Sequence, residues 1–231
     1  LQAFRRFHRR PRAVKNVELG VGVRVVKGDQ TGYGYTEDLT REGLTLAAKT
    51  AAAIVQSTNK PGAIELHAVK DLPSRYALNV PWDAVTPDQR LKIIQGVNGD
   101  ALKADNRVRK VNVRFADQVS VILIADSTGR IVEDLQPMTS LYLGCIAEDK
   151  GRREQGAYNV AGRTDIGFYT KDRLERLVKE AVRRTTVLFE AVPSPAGEMP
   201  VVLAAGSSGI LLHEAIGHGM EADFNRKGTS I

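Results

Sequence analysis

The chain has 231 residues, 42% of them hydrophobic and 26% charged, with a formal net charge of +6. This composition suits a soluble globular protein of one or two domains. The single cysteine, Cys145, excludes a disulfide framework and points to a reducing compartment. The charge excess is local. Arg5, Arg6, Arg9, Arg10 and Arg12 fall in residues 1–12 with no acid among them, which leaves the remainder near +1. A basic arm can bind nucleic acid or anionic lipid. No module of interleaved aromatic and basic residues follows it, so a solvated end is expected, with neither nucleic acid nor membrane as a partner. Leu1, Phe4 and Phe7 have weak helical spacing, but the segment is too short and too charged for a signal sequence or a membrane span.

In chain order, Val17, Leu19, Val21, Val23 and Val25 alternate with the period of a strand. A turn at 27–32 leads to a second strand at 33–36, where Tyr33 and Tyr35 are expected to pack on the hairpin. Thr40 caps a helix whose apolar side is Leu44, Leu46, Ala47, Ala51, Ile54 and Val55. Residues 56–86 form a connection rich in breakers, which Leu72, Tyr76 and Trp82 could anchor. His67, alone in that stretch, is expected to be solvated or hydrogen-bonded. Thr86, Pro87 and Gln89 then open a helix with a capping box. Its apolar face is Leu91, Ile93, Ile94, Val97, Ala101 and Leu102. Strands follow at 108–115, 119–124, 131–135, 138–147 and 153–160, with a short turn at 116–118. This is a run of antiparallel hairpins rather than alternating βα units. Cys145 lies in one of these strands and is expected to be a buried, inert thiol.

The glycine-rich run 156–163 lacks the Lys-Ser/Thr step of a phosphate-binding loop and is expected to connect strand to helix. A last helix spans 171–191, with Leu174, Leu177, Val178, Ala181, Val182 and Leu188 inward. The Pro-Ser-Pro-Ala-Gly stretch at 193–197 marks a boundary. Residues 201–205 read as a short buried strand, and Ser207 or Ser208 as the cap of a final helix.

That helix carries His213-Glu214-Ala215-Ile216-Gly217-His218. Two imidazoles flanking a carboxylate suit zinc, and a neighbouring Glu can take a proton from water on the ion. A spacing of four between histidines turns about 40° around a regular helix, but the spacing of five found here turns about 140°. Both rings can meet one ion only if the helix is locally widened. A π-bulge would do this, eased by Gly217 and Gly219. The alternative is a capped core helix whose histidines meet polar partners. Glu221 and Asp223 either orient the histidines as outer acceptors or mark the helix end. Gly206-Ser207-Ser208-Gly209 beside His213 suggests serine chemistry only superficially, because it does not match the G-x-S-x-G nucleophile turn.

The longer string HEAIGHGMEADFNRKGTS (213–230), with GEMPVVLAAGSSGILL (197–212) before it, resembles the metal-binding segment of the TldD/PmbA family, in its TldD-type subunit. The patterns GVGVRV (20–25) and TGYGY (31–35) resemble that family's N-terminal domain. The resemblance implies a cytoplasmic zinc metallopeptidase acting on peptides or unfolded chains, paired with a homologous PmbA/TldE-type subunit. It implies His213 and His218 as zinc ligands, and Glu214 as the catalytic base on zinc-bound water. It also implies a third ligand, a cysteine beyond residue 231, so the sequence is expected to be an internal piece of a longer protein. A piece without that cysteine could instead be catalytically incomplete and act only by pairing. The expected fold is α+β in three parts. Residues 1–72 hold a partial N-terminal hairpin-and-helix domain with the basic arm at 1–12. Residues 73–192 hold a middle antiparallel sheet with flanking helices. Residues 193–231 begin the C-terminal metallopeptidase domain.

Overall fold

The alternating valines pair as a hairpin, β3 (Val21–Lys27) against β4 (Gln30–Thr36), after two short strands β1 (Gln2–Arg5) and β2 (Arg12–Val14). The computed structural model describes residues 2–5, 12–56, 62–69, 73, 75–76 and 78–231. It divides into two compact units, Leu1–Ala191 and Val192–Ile231. The anticipated anchor Leu72 and the side chains of the basic arm lie outside the described residues. The backbone of β1 is paired antiparallel with β2 on one edge and with a central strand on the other. At Gln2–Arg5 the chain is therefore part of a sheet and not a free arm.

Strand β3 starts at Val21, four residues later than its alternation suggests, and Val17 and Leu19 stay exposed. Gly32 and Gly34 of β4 face helix α1 (Arg41–Ile54). A side-chain carbon on either would clash with the carbonyl oxygens of Ala51 and Ala47, so the missing side chains set how closely helix and hairpin approach. Thr40 caps α1 as expected. Ala47, Ala51 and Val55 are buried, but Leu46 and Ile54 are exposed, so the apolar stripe is narrower than the sequence suggests.

A two-residue strand β5 (His67–Ala68) places His67 in a parallel pair. Helix α2 (Pro87–Ala104) opens with the full Thr86–Gln89 capping box. The sheet is then built from β6 (Val108–Ala125), β7 (Arg130–Asp149) and β8 (Arg152–Gly162), in the order β2-β1-β6-β7-β5 with β8 also on β7. The turn expected at 116–118 does not form. β6 and β7 pair without interruption from Lys110↔Ile146 to Ala125↔Ile131. Asp117 stays in the strand because Arg90 of α2 grips its carboxylate with two hydrogen bonds of 2.7 and 2.9 Å. The glycine-rich run is strand as far as Gly162 and not a connection.

Helix α3 (Lys171–Thr186), capped by Thr170, ends five residues earlier than expected and passes into a 3₁₀ turn, Val187–Glu190. α2 and α3 cover one face of the sheet. Val111, Val113, Phe115, Leu141, Leu143, Cys145 and Ala147 point into this layer at every second position, against Ile94, Val97, Leu177 and Ala181. Full burial of each larger side chain contributes about 1.5–3 kcal/mol. Trp82 closes the layer edge-on to Phe115, and its ring N–H donates to the Thr164 carbonyl at 2.9 Å. The fold is thus α+β, as the hairpin pattern requires.

In the second unit, residues 201–205 are not a buried strand. Val201 and Val202 are exposed, and no strand pairs with them among the described residues. A β-rich composition alone cannot make a strand without a neighbour to satisfy its backbone. Helix α4 (Ser208–Ala215), a 3₁₀ turn at Gly217–Met220 and helix α5 (Ala222–Lys227) complete the chain.

Candidate metal centre

His213 and Glu214 sit in the last turn of α4. The π-bulge anticipated for the five-residue spacing does not form. Instead Ile216 leaves the helical basin, at φ −129° and ψ −44°, and the chain tightens into the Gly217–Met220 turn that carries His218. Breaking the helix removes the angular mismatch as effectively as widening it. The two imidazole rings approach edge to face, 4.5 Å between centroids at 75°. His218 Nε2 lies 3.4 Å from Glu214 Oε2. One donor atom from each of His213, Glu214 and His218 falls within 4.8 Å of the others.

The donor set matches the chemistry of a borderline-soft divalent ion. Metal–ligand bonds of about 2.05 Å in a tetrahedral site place two ligand atoms about 3.3 Å apart. The His218–Glu214 separation already meets that value. The side chains of His218 and Glu214 are 52% and 63% exposed, so an ion pair between them would itself contribute little in open solvent.

Glu221 follows the turn, and its Oε1 lies 2.5 Å from His218 Nδ1. Asp223 lies in the first turn of α5, where a carboxylate favours the helix N-terminus, and no hydrogen bond joins it to either histidine. The turn is held from behind by α5 and the residues after it. Asn225 donates to the Met220 carbonyl at 3.0 Å, and the Ser230 hydroxyl donates to the Gly219 carbonyl at 3.1 Å. Gly228 ends α5 in the left-handed region at φ 69°, returning the chain toward the turn.

The remaining candidates do not assemble a second site. Ser208 donates to the Ala204 carbonyl rather than to His213. Cys145 is buried, and burial pushes its thiol up to about 11, which suppresses the thiolate. Asp165, uninformative in the sequence before Ile166-Gly167-Phe168, proves to be a buried carboxylate capping the 3₁₀ turn Ile166–Phe168. It accepts the backbone N–H groups of Asn79 and Val80, at 2.7 and 3.2 Å, and of Gly167, at 2.8 Å. Burial raises its pKa, but these three donors outweigh it and hold the carboxyl below the usual range.

The exposed His-Glu-His cluster is a candidate metal site. The description "PmbA/TldA metallopeptidase central domain" matches residues 80–189, and "PmbA/TldA metallopeptidase domain 1" matches residues 12–55. The chain is 34% identical over 223 residues to the "Metalloprotease TldD homolog" of Haemophilus influenzae, covering 94% of this chain and 46% of that protein. It is 33% identical over 221 residues to the Buchnera aphidicola protein of the same description, with 93% and 46% covered. The solved structure of TldE from Thermococcus kodakarensis superposes with a TM-score of 0.58 at 16% identity, over 84% of this chain and 43% of that one. That likeness bears on the fold alone. The chain belongs to the TldD/PmbA family. It spans just under half the length of the curated relatives it matches. No helix among the described residues is long and apolar enough to cross a membrane.

Proposed function

We propose that this chain is the metal-binding part of a TldD-type zinc peptidase subunit, cleaving peptides or unfolded chains in the cytoplasm. The observation that carries the reading is the His213–Glu214–His218 cluster, with three donor atoms within 4.8 Å of one another. His213 and His218 hold the ion. When bound, zinc supplies Lewis acidity for a peptide carbonyl. Glu214 takes a proton from the attacking water and returns it to the departing amine. The family resemblance implies a third protein ligand, a cysteine outside this sequence; Cys145 itself is buried in the sheet core. The organisation proposed is a hairpin-and-helix domain at 1–72, a middle domain at 73–192 and the start of the peptidase domain at 193–231. The partner is a homologous PmbA/TldE-type subunit, with no role for nucleic acid or membrane.

The 3.4 Å approach of Glu214 to His218 also favours a second reading, in which Glu214 is itself a ligand. Glu214→Gln separates the two. As a base, its replacement abolishes peptide hydrolysis in the paired enzyme and leaves zinc content unchanged. As a ligand, its replacement removes the zinc. Retained hydrolysis would remove Glu214 from both roles and would favour a subunit acting only through pairing.

A further inference from the structure

Two carboxylates flank the His218 ring, one at each nitrogen, and they are not equivalent. Glu221 Oε1 lies 2.5 Å from Nδ1, whereas Glu214 Oε2 lies 3.4 Å from Nε2. A neutral imidazole carries one N–H. At 2.5 Å a carboxylate oxygen facing a bare nitrogen would set lone pair against lone pair, so the proton belongs on Nδ1. The 3.4 Å contact is longer than ordinary hydrogen bonds and leaves Nε2 with its lone pair free. We propose that Glu221 is the positioning residue of the metal site, fixing His218 as the Nδ1–H tautomer so that Nε2 is presented to a divalent cation. This rests on the reading that His213 and His218 hold a metal.

The local fold explains why Glu221 and not Asp223 does this. His218 and Glu221 are three residues apart across a 3₁₀ turn, whose three residues per turn bring such side chains into line. Asp223 is already inside α5. The braces from Asn225 and Ser230 hold the turn in shape without touching the ring, so Glu221 keeps its reach while the site is exposed. Imidazole ligands elsewhere commonly donate their second ring nitrogen to a carboxylate, and losing that acceptor typically costs 10–100-fold in metal affinity.

The test is the side-chain nitrogen NMR spectrum of His218 in the metal-free form of the longer protein that carries the proposed cysteine ligand, at a pH where the ring is neutral, with zinc affinity measured by chelator competition. The wild type should show the Nδ1–H form. Glu221→Ala should lose that preference and bind zinc about 10–100-fold more weakly. Glu221→Asp should recover part of both, and Asp223→Ala should change neither. A wild-type ring found as the Nε2–H form would overturn the proposal whatever the variants do. So would Glu221→Ala with an unchanged tautomer and affinity. If the wild type showed the Nδ1–H form but took up no zinc, the hydrogen bond would be real and the metal reading wrong, and the positioning role would fall with it.

Discussion

Asp165 shows how much one side chain can anchor. Its carboxylate gathers the N–H groups of Asn79, Val80 and Gly167 and so fixes the approach to Trp82 beneath the sheet layer. Its carboxyl pKa is lower in the folded chain than the unfolded value of about 3.9. Such a group adds stability above the unfolded pKa and loses it as pH falls through the folded value. Asp165→Ala should lower unfolding stability by about 1–3 kcal/mol at neutral pH, because three N–H groups lose their acceptor. Denaturant titrations should show that loss shrinking as pH falls below about 4, where the unfolded carboxyl protonates first and the folded one follows at lower pH. A loss that stayed constant down to strongly acidic pH would contradict this account. Most of this was not legible beforehand, since two of the three donors to Asp165, Asn79 and Val80, lie 86 and 85 positions away in the chain. The motif residues were legible, because His213, Glu214 and His218 signal chemistry by type and spacing alone.

The elements divide in the same way. Helix starts were legible because caps are local, and Thr40 and Thr86 fix their helices through hydrogen bonds three residues long. Strand continuity was not. Ala116-Asp117-Gln118 has the composition of a turn, yet it is strand because Arg90, far off in sequence, neutralises Asp117 across the layer. The pair is 6% exposed on both sides, and Arg90 also donates to the carbonyls of Trp82 and Val85. Asp117→Ala would leave a buried guanidinium without its carboxylate, and should destabilise by about 3–5 kcal/mol in equilibrium unfolding. A cost below about 1 kcal/mol would mean that the sheet, and not the ion pair, keeps β6 continuous. Gly156 was misread for a related reason. In β8 it lies against Thr185 of α3, where a side-chain carbon would come within 2.8 Å, so this glycine marks close packing and not flexibility. The break at Ile216 belongs here too. The five-residue spacing shows that a regular helix cannot serve both histidines, but the widening expected from it does not occur, because a break at Ile216 serves equally well.

For the whole molecule, the legible part was the architecture. Hairpin periodicity gave an α+β body, and the family models match the hairpin-and-helix region and the central sheet. The exposed run at 201–205 lies outside that logic, since its burial depends on neighbours and not on its own sequence. The central claim is that His213 and His218 of this family member hold one zinc ion. The most direct measurement is zinc bound per chain at saturating zinc, on the longer protein that carries the proposed cysteine ligand, in its wild-type form beside His213→Ala and His218→Ala, with folding checked by circular dichroism. The account predicts a single ion per wild-type chain, lost in both variants while the fold persists. No uptake by the wild type, or uptake unchanged in the variants, would contradict it.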